Sequence, residues 1–299
     1  MPELDALLDG FRKGDRLALS KLLSRVANGD RIPNLPAAAK FSRIIAFTGS
    51  GGVGKSTLIG KLIELLRGQQ LKVAVLACDP QSPLSGGALL GDRFRMPSRP
   101  EDDGVFIRSL AALSGRGALA EHLPTMVHLL EAFSFDVVII ETVGAGQGDT
   151  AASELADVVV LLLQPETGDD LQWEKAGVLE VADVIAIHKA DLPGAEQTAA
   201  QVRAALDLPG LRPIPVVSVS AKTGAGVKEL WTTISACNRR RDRQAESHRE
   251  LVRLVMASVA RRFDEALKGE KLNGIVDDWQ AGRLTDEEAS AAVLKALGR

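Results

Sequence analysis

The chain has 299 residues, 45% of them hydrophobic and 25% charged, a globular balance that excludes a disordered or fibrous protein and suits about two domains. With 36 basic against 39 acidic side chains the net charge is −3, so no general basic field draws the protein to nucleic acid or to an anionic membrane. Two cysteines, Cys78 and Cys237, build neither a disulfide framework nor a Cys-x-x-Cys zinc pair, which fits a reducing compartment. The opening Met1-Pro2-Glu3-Leu4-Asp5 is acidic and lacks the basic-then-apolar order of a signal peptide. Apolar runs such as Val158 to Leu163 are far too short to span a bilayer, and a soluble, cytoplasmic protein is expected.

In chain order, Leu4, Leu7, Leu8 and Phe11 recur at helical spacing, and Leu17, Leu19, Leu22, Leu23 and Val26 resume it after a break at Gly14-Asp15. The two prolines of Ile32-Pro33-Asn34-Leu35-Pro36 resist helix and make a linker, so residues 1–40 read as an N-terminal helical segment. From Phe41 to Ala236 short apolar runs alternate with helical stretches. The runs predict strands at Arg43–Thr48, Val73–Cys78, Gly104–Leu110, Val137–Ile140, Val158–Leu163, Val184–Ile187 and Val216–Val219. Strands apolar at nearly every position belong to a sheet covered on both faces, and helical crossovers make its strands parallel. The fold class expected for residues 41–236 is therefore α/β, a doubly wound and mainly parallel sheet.

Residues 237–299 read as helical and charged. Leu251, Val255, Val259 and Phe263 form an apolar stripe, while Arg249, Arg253, Arg261 and Arg262 lie elsewhere on the cylinder. The helix loosens at Lys271–Asn273, and Glu287–Leu297 forms another. The run Arg239-Arg240-Arg241-Asp242-Arg243 is interleaved with acid and reads as a solvated helix face, not a nucleic-acid site. The stripe suits either folding back on its own domain or pairing with a second subunit.

Gly49-Ser50-Gly51-Gly52-Val53-Gly54-Lys55-Ser56 fits G-x-x-x-x-G-K-[ST] without a gap, after the strand Ile44–Phe47 and before a helix that opens with Thr57. Glycines let successive backbone N–H groups turn inward on phosphate oxygens, and the helix N-terminus adds its positive dipole end. Lys55 is expected to reach the β- and γ-phosphates and Ser56 to bind Mg²⁺ through its hydroxyl. The chain should bind a nucleoside triphosphate.

For the base, His188-Lys189-Ala190-Asp191 follows the strand Val184–Ile187 and matches the guanine-reading Asn-Lys-x-Asp element of GTPases except at its first residue. Asp191 can accept from the guanine ring N–H and its exocyclic amine together, a pairing adenine does not offer, and the stem of Lys189 can cover the base. Ser220-Ala221-Lys222-Thr223-Gly224 resembles the loop whose backbone N–H meets the guanine carbonyl. An imidazole at His188 can imitate one of the two bonds an asparagine makes there, or be a plain polar strand end. The nucleotides expected are GTP and GDP, with guanine preference resting mainly on Asp191.

Two acidic strand ends complete the set: Asp79 in Cys78-Asp79-Pro80, and Glu141 in Glu141-Thr142-Val143-Gly144. Carboxylates at the carboxyl ends of parallel strands beside a phosphate loop are placed to manage Mg²⁺ and the attacking water, though either can also cap the following segment. The metal set expected is Ser56, Asp79 and Glu141. Cys78 reads as packing.

Together these motifs resemble the MeaB/ArgK-like G proteins, chaperones of methylmalonyl-CoA mutase and related cobalamin-dependent acyl-CoA mutases. The matching pieces are Asp79-Pro80 followed by Gly86–Arg93 with Asp92, Glu141-Thr142-Val143-Gly144-Ala145-Gly146-Gln147, and Pro165–Gln172 with Asp169. The resemblance covers almost the whole chain and implies a first switch at Gly86–Arg95, a second at Glu141–Thr150 including Gly144, and a third at Gly168–Lys175, whose Asp169, Gln172 and Lys175 face the mutase. It implies GTP hydrolysis, slow alone and stimulated by the partner, coupled to loading and reactivation of adenosylcobalamin on the mutase, with Lys55, Asp79, Glu141 and Gln147 serving catalysis. It also implies a homodimer formed through the C-terminal helices. The sequence departs from the family at Gly51-Gly52, where many relatives carry proline, and at His188.

Two other classes fit a phosphate loop. A metal-delivering GTPase of the nickel-insertion kind needs clustered soft or imidazole ligands, whereas His122, His128, His188, His248 and the two cysteines are scattered. A metabolite kinase or transport ATPase would read adenine, against which Asp191 and the Ser220 loop speak.

Overall fold

Among the described residues seven strands form where the apolar runs predict them: β1 (Arg43–Thr48), β2 (Val73–Pro80), β3 (Val105–Ala112), β4 (Val137–Glu141), β5 (Val158–Leu163), β6 (Val184–His188) and β7 (Val216–Val219). The computed structural model describes residues 2–30, 32, 35, 38, 40–80, 102–112, 118–142, 147–165, 181–207, 212–238, 252, 255, 259, 262, 263, 266 and 272–297. Strands β2, β3, β4 and β6 run past their expected ends, by one residue at Glu141 and His188 and by two at Pro80 and Ala112. The reason is physical: ladder hydrogen bonding continues after hydrophobicity stops, and at β2, β4 and β6 the added residues include the polar groups of the site.

The strands form one sheet in the order β3-β2-β4-β1-β5-β6-β7, every pairing parallel. Alternation along each strand feeds two faces. Ile45, Phe47, Val75, Ile139 and Val160 pack with Leu58, Ile59 and Leu62 of α3 (Lys55–Gly68) and with Leu230 and Ile234 of α7 (Val227–Ala236). Ile44, Ala46, Leu76, Val138 and Ile140 turn the other way, onto α1 (Pro2–Arg12), α2 (Arg16–Ala27), α4 (Ala118–Ala132) and α5 (Gln147–Leu155). A third cluster joins Leu161, Ile185 and Ile187 to α6 (Ala195–Leu206). Continuously apolar strands are what burial on both faces requires.

The N-terminal helices contribute to the second of these clusters. Asp15 caps α2, accepting from the Leu17 N–H at 2.8 Å, and turns Leu19, Leu22 and Leu23 onto the sheet, where all three are fully buried. Buried polar groups fix the sheet's entrance. Asp157 accepts from the Ile44 N–H at 2.9 Å, and Arg43 donates to the Ile234 and Cys237 carbonyls that end α7, at 2.6 and 2.5 Å.

The chain divides into two compact units, Met1–Arg240 and Arg241–Arg299. The second contains α8 (Asn273–Gln280) and α9 (Asp286–Leu297). The sequence pattern marks α9 to within a residue but reads the start of α8 as a loosening. Its Asn-Gly opening argues against helix locally, while the apolar Ile275, Val276 and Trp279 recur at helical spacing.

Leu22→Ala should cost about 2–5 kcal/mol and lower the melting temperature, because Leu22 is fully buried in the cluster that α2 shares with the sheet. An unchanged melting temperature would mean that the N-terminal helices are not part of the sheet's core.

Candidate functional site

Strand β1 ends at Thr48, α3 begins at Lys55, and the six residues between them make a loop that only glycine can trace at three points. Gly49 (φ +142°) lies so close to β5 that a Cβ would sit 2.5 Å from the Leu162 carbonyl oxygen. Gly52 and Gly54 are left-handed, at φ +78° and +99°. No side chain caps the α3 N-terminus, which leaves its first N–H groups to an anion.

The two polar residues that open α3 are buried and engaged. The Lys55 ammonium donates to the carbonyls of Gly49 at 2.7 Å and Ser50 at 3.1 Å, holding the loop closed on itself. The Ser56 hydroxyl donates to Glu141 Oε1 at 2.7 Å. Glu141 ends β4, in register with Phe47 of β1, so the parallel pairing itself brings carboxylate and hydroxyl together. Both are hard oxygen donors, a chemistry that fits Mg²⁺.

Strand β6 delivers the residues expected to read the base. His188 is its last residue and is only 4% exposed. Its Nδ1 lies 2.8 Å from the Val53 carbonyl oxygen in the phosphate loop. A carbonyl only accepts, so Nδ1 carries the proton. The ring fills the space where a Cβ on Gly54 would be, 2.5 Å from His188 Cε1. Burial, with help from the Lys189 charge, holds the imidazole below its ordinary pKa, and the ring is neutral at pH 7. Lys189 follows in a left-handed turn at φ +57°.

Asp191 is held by the loop after β7. Its Oδ1 accepts from the Ser220 hydroxyl at 2.6 Å, and Lys222 stands 3.8 Å from Oδ2. The Ser220 hydrogen bond is the main reason its carboxyl lies below the usual range, so it is an ionised acceptor at neutral pH. Ser220 Oγ also accepts from the Thr223 N–H at 3.2 Å, and Ala221 is buried behind the loop.

The residues expected to read phosphate and base thus lie on the carboxyl ends of β1, β4, β6 and β7, joined by one bond from His188 to Val53. Ser50 and Thr57 are exposed. Asp79 lies near the end of β2 and Gln147 opens α5, but their side chains fall outside the described residues, as do Asp92, Gly144, Asp169, Gln172 and Lys175 entirely. The dependence of His188 on a bare Gly54 has no signal in spacing, since the bonded residues are 135 positions apart.

Gly54→Ala should weaken nucleotide binding far more than Gly52→Ala. Both add a left-handed penalty of about 1–2 kcal/mol, but a Cβ at Gly52 meets open space while one at Gly54 meets the His188 ring. Equal effects in a nucleotide titration would contradict the packing of ring on glycine.

A family model described as methylmalonyl Co-A mutase-associated GTPase MeaB matches residues 30–268. A protein of Pyrococcus horikoshii whose given name is that of a candidate GTPase is 37% identical, over 96% of this chain and 99% of its own. The mouse protein named methylmalonic aciduria type A homolog, mitochondrial, is 32% identical over 77% of this chain and 62% of its own. A protein of Cupriavidus metallidurans named fused isobutyryl-CoA mutase is 39% identical over 63% of this chain, a segment that makes up 18% of that protein. Among solved structures, one described as a LAO/AO transport system kinase shares the fold, with a TM-score of 0.61 and 23% identity over 99% of this chain and 98% of that one. With the family model spanning most of its length, the chain belongs to the family of the methylmalonyl-CoA mutase-associated GTPase MeaB.

Proposed function

We propose that the protein binds and hydrolyses GTP with Mg²⁺, and couples its nucleotide state to the loading, protection and reactivation of adenosylcobalamin on a cobalamin-dependent acyl-CoA mutase. The observation that carries the nucleotide half is the joined site: a phosphate loop with its lysine and serine in place, bonded through His188 to the strand that presents Asp191. The mutase half rests on family membership and on the Cupriavidus protein, where a similar segment lies inside a chain named as a mutase.

In this reading Lys55 exchanges the Gly49 and Ser50 carbonyls for β- and γ-phosphate oxygens, and the loop N–H groups take the remainder. Ser56 and Glu141, with Asp79 at the end of β2, would hold Mg²⁺, which supplies neutralisation of phosphate charge when bound. Holding the ion would draw Ser56 and Glu141 out of their mutual hydrogen bond, so Glu141 and the segment after it would sense the ligand. Asp79, Glu141 and Gln147 order the attacking water. Asp191 fixes the base, and Lys189 and the Ser220–Lys222 loop enclose it.

The segments Gly86–Arg95, Glu141–Thr150 and Gly168–Lys175 carry the nucleotide state to the mutase. A switch of this kind needs the partner to bind the GTP and GDP states unequally, and by linkage the mutase then alters nucleotide affinity. Hydrolysis is slow alone because no arginine from a partner stabilises the transition-state charge. The functional division is 1–40, 41–236 and 237–299, with the last segment forming a homodimer. Exposed Val252, Val255, Trp279 and Leu294 in that segment support a second copy as their cover. Among the described residues no helix is long and apolar enough to cross a membrane, and a cytoplasmic setting accords with the sequence.

GTP turnover measured alone and with a cobalamin-dependent acyl-CoA mutase of the same organism tests the proposal. Expected are slow turnover alone, acceleration of at least about tenfold with the mutase, and cofactor transfer that differs between the GTP and GDP states. If no such mutase changes turnover or transfer, the chaperone role is wrong.

A further inference from the structure

Among the buried polar groups of the described fold, His188 stands out. Its ring is 4% exposed, its Nδ1 proton is committed to the Val53 carbonyl, and its Nε2 is a buried lone pair with no hydrogen-bond partner. A buried acceptor left unmade is destabilising, so the site is completed by something that brings a hydrogen between Nε2 and a neighbour.

The position of the ring says what that neighbour is. On one side it rests on Gly54 and bonds Val53, in the loop that takes the phosphates. On the other, three residues along the chain, stands Asp191, whose ionised carboxylate suits the donor edge of guanine, the ring N–H and exocyclic amine. A guanine nucleotide held at its phosphates and at that edge, with its carbonyl O6 toward the loop after β7, presents its remaining polar atom, N7, to the group between. N7 is an acceptor only. A lone pair at Nε2 facing it pairs with nothing, whereas a proton there makes the ring a donor at both nitrogens and keeps the bond to Val53.

We propose that His188 makes guanine-nucleotide binding proton-linked, taking up a proton at Nε2 as it donates to the acceptor edge of the base. This rests on the guanine reading above and deepens it by naming a further residue that sets base preference. The charges around the ring decide the direction. Burial, the largest influence, and Lys189 oppose the cation, the bond to the Val53 carbonyl and Asp191 favour it, and the neutral form wins. From the phosphate loop, Lys55 is turned onto the Gly49 and Ser50 carbonyls, and from the β7 loop Lys222 stands beside Asp191; β5 brings only apolar residues. Bound phosphates add negative charge, and the base adds an acceptor. Nucleotide therefore raises the proton affinity of the ring, and by linkage affinity rises as pH falls from above the ordinary histidine value toward the depressed one, by up to about tenfold per pH unit for one proton.

The test is titration calorimetry with GDP and with 7-deaza-GDP, which lacks the N7 acceptor, each in two buffers of different ionisation enthalpy between pH 6 and 8, on the wild-type chain and on His188→Asn. Protonation of the diphosphate itself is common to every arm. Expected is an excess proton uptake approaching one per GDP bound in the wild type over His188→Asn, an excess that 7-deaza-GDP abolishes in the wild type alone. GDP affinity should also fall with rising pH more steeply in the wild type than in the variant. Equal proton uptake in the two proteins, or an excess that persists with 7-deaza-GDP, overturns the proposal while leaving guanine binding intact. Failure of GDP to bind either protein at any pH overturns the guanine reading and the proposal with it.

Discussion

A loop made largely of glycine has no side chains with which to hold its own shape, yet a phosphate cradle works only if its N–H groups are already aimed. The site in this chain depends on the loop being held from outside. Lys55 clamps its first carbonyls, the β5 backbone closes against Gly49, Ser56 is bonded to Glu141, and His188 takes the Val53 carbonyl. Each hold comes from a different element, so the loop is only as well placed as the sheet that positions them.

That arrangement explains why the sheet is so apolar and its carboxyl ends so polar. Within the strands, residues of both faces are buried under helices. At the ends, β4 offers Glu141, β6 offers His188 and the loop to Asp191, and β7 leads into Ser220. Parallel pairing puts all of these at one edge, where the crossovers leave room for a ligand. At that edge the charged and hydroxyl groups satisfy one another: Lys55 with carbonyls, Ser56 with Glu141, Asp191 with Ser220. Under the proposed function a nucleotide would exchange these bonds for its own, and its arrival would be felt at the end of β4.

The strands and the phosphate loop were legible in the sequence because both signals are local. Burial on two faces writes itself as an unbroken apolar run, and the loop needs glycine, lysine and serine at fixed spacing. Strand ends were less legible, since Glu141 and His188 join their ladders although neither is apolar. The start of α8 was read as a loosening because Asn273-Gly274 argues against helix locally. Least legible was the bond between Val53 and His188. The sequence marked His188 as a departure from the guanine-reading pattern, but nothing local says that the ring seats on Gly54, or that one of its nitrogens is left without a partner.

The central claim is that Asp191, fixed by Ser220 and tied through β6 to the phosphate loop, selects guanine. The most direct measurement is the affinity of GTP and xanthosine triphosphate for the wild-type chain and for Asp191→Asn. The account predicts that the substitution weakens GTP by about 10–100-fold, the worth of a charge-assisted bond, and strengthens xanthosine triphosphate, whose changed edge accepts from the new amide. Unaltered base preference in Asp191→Asn would contradict it.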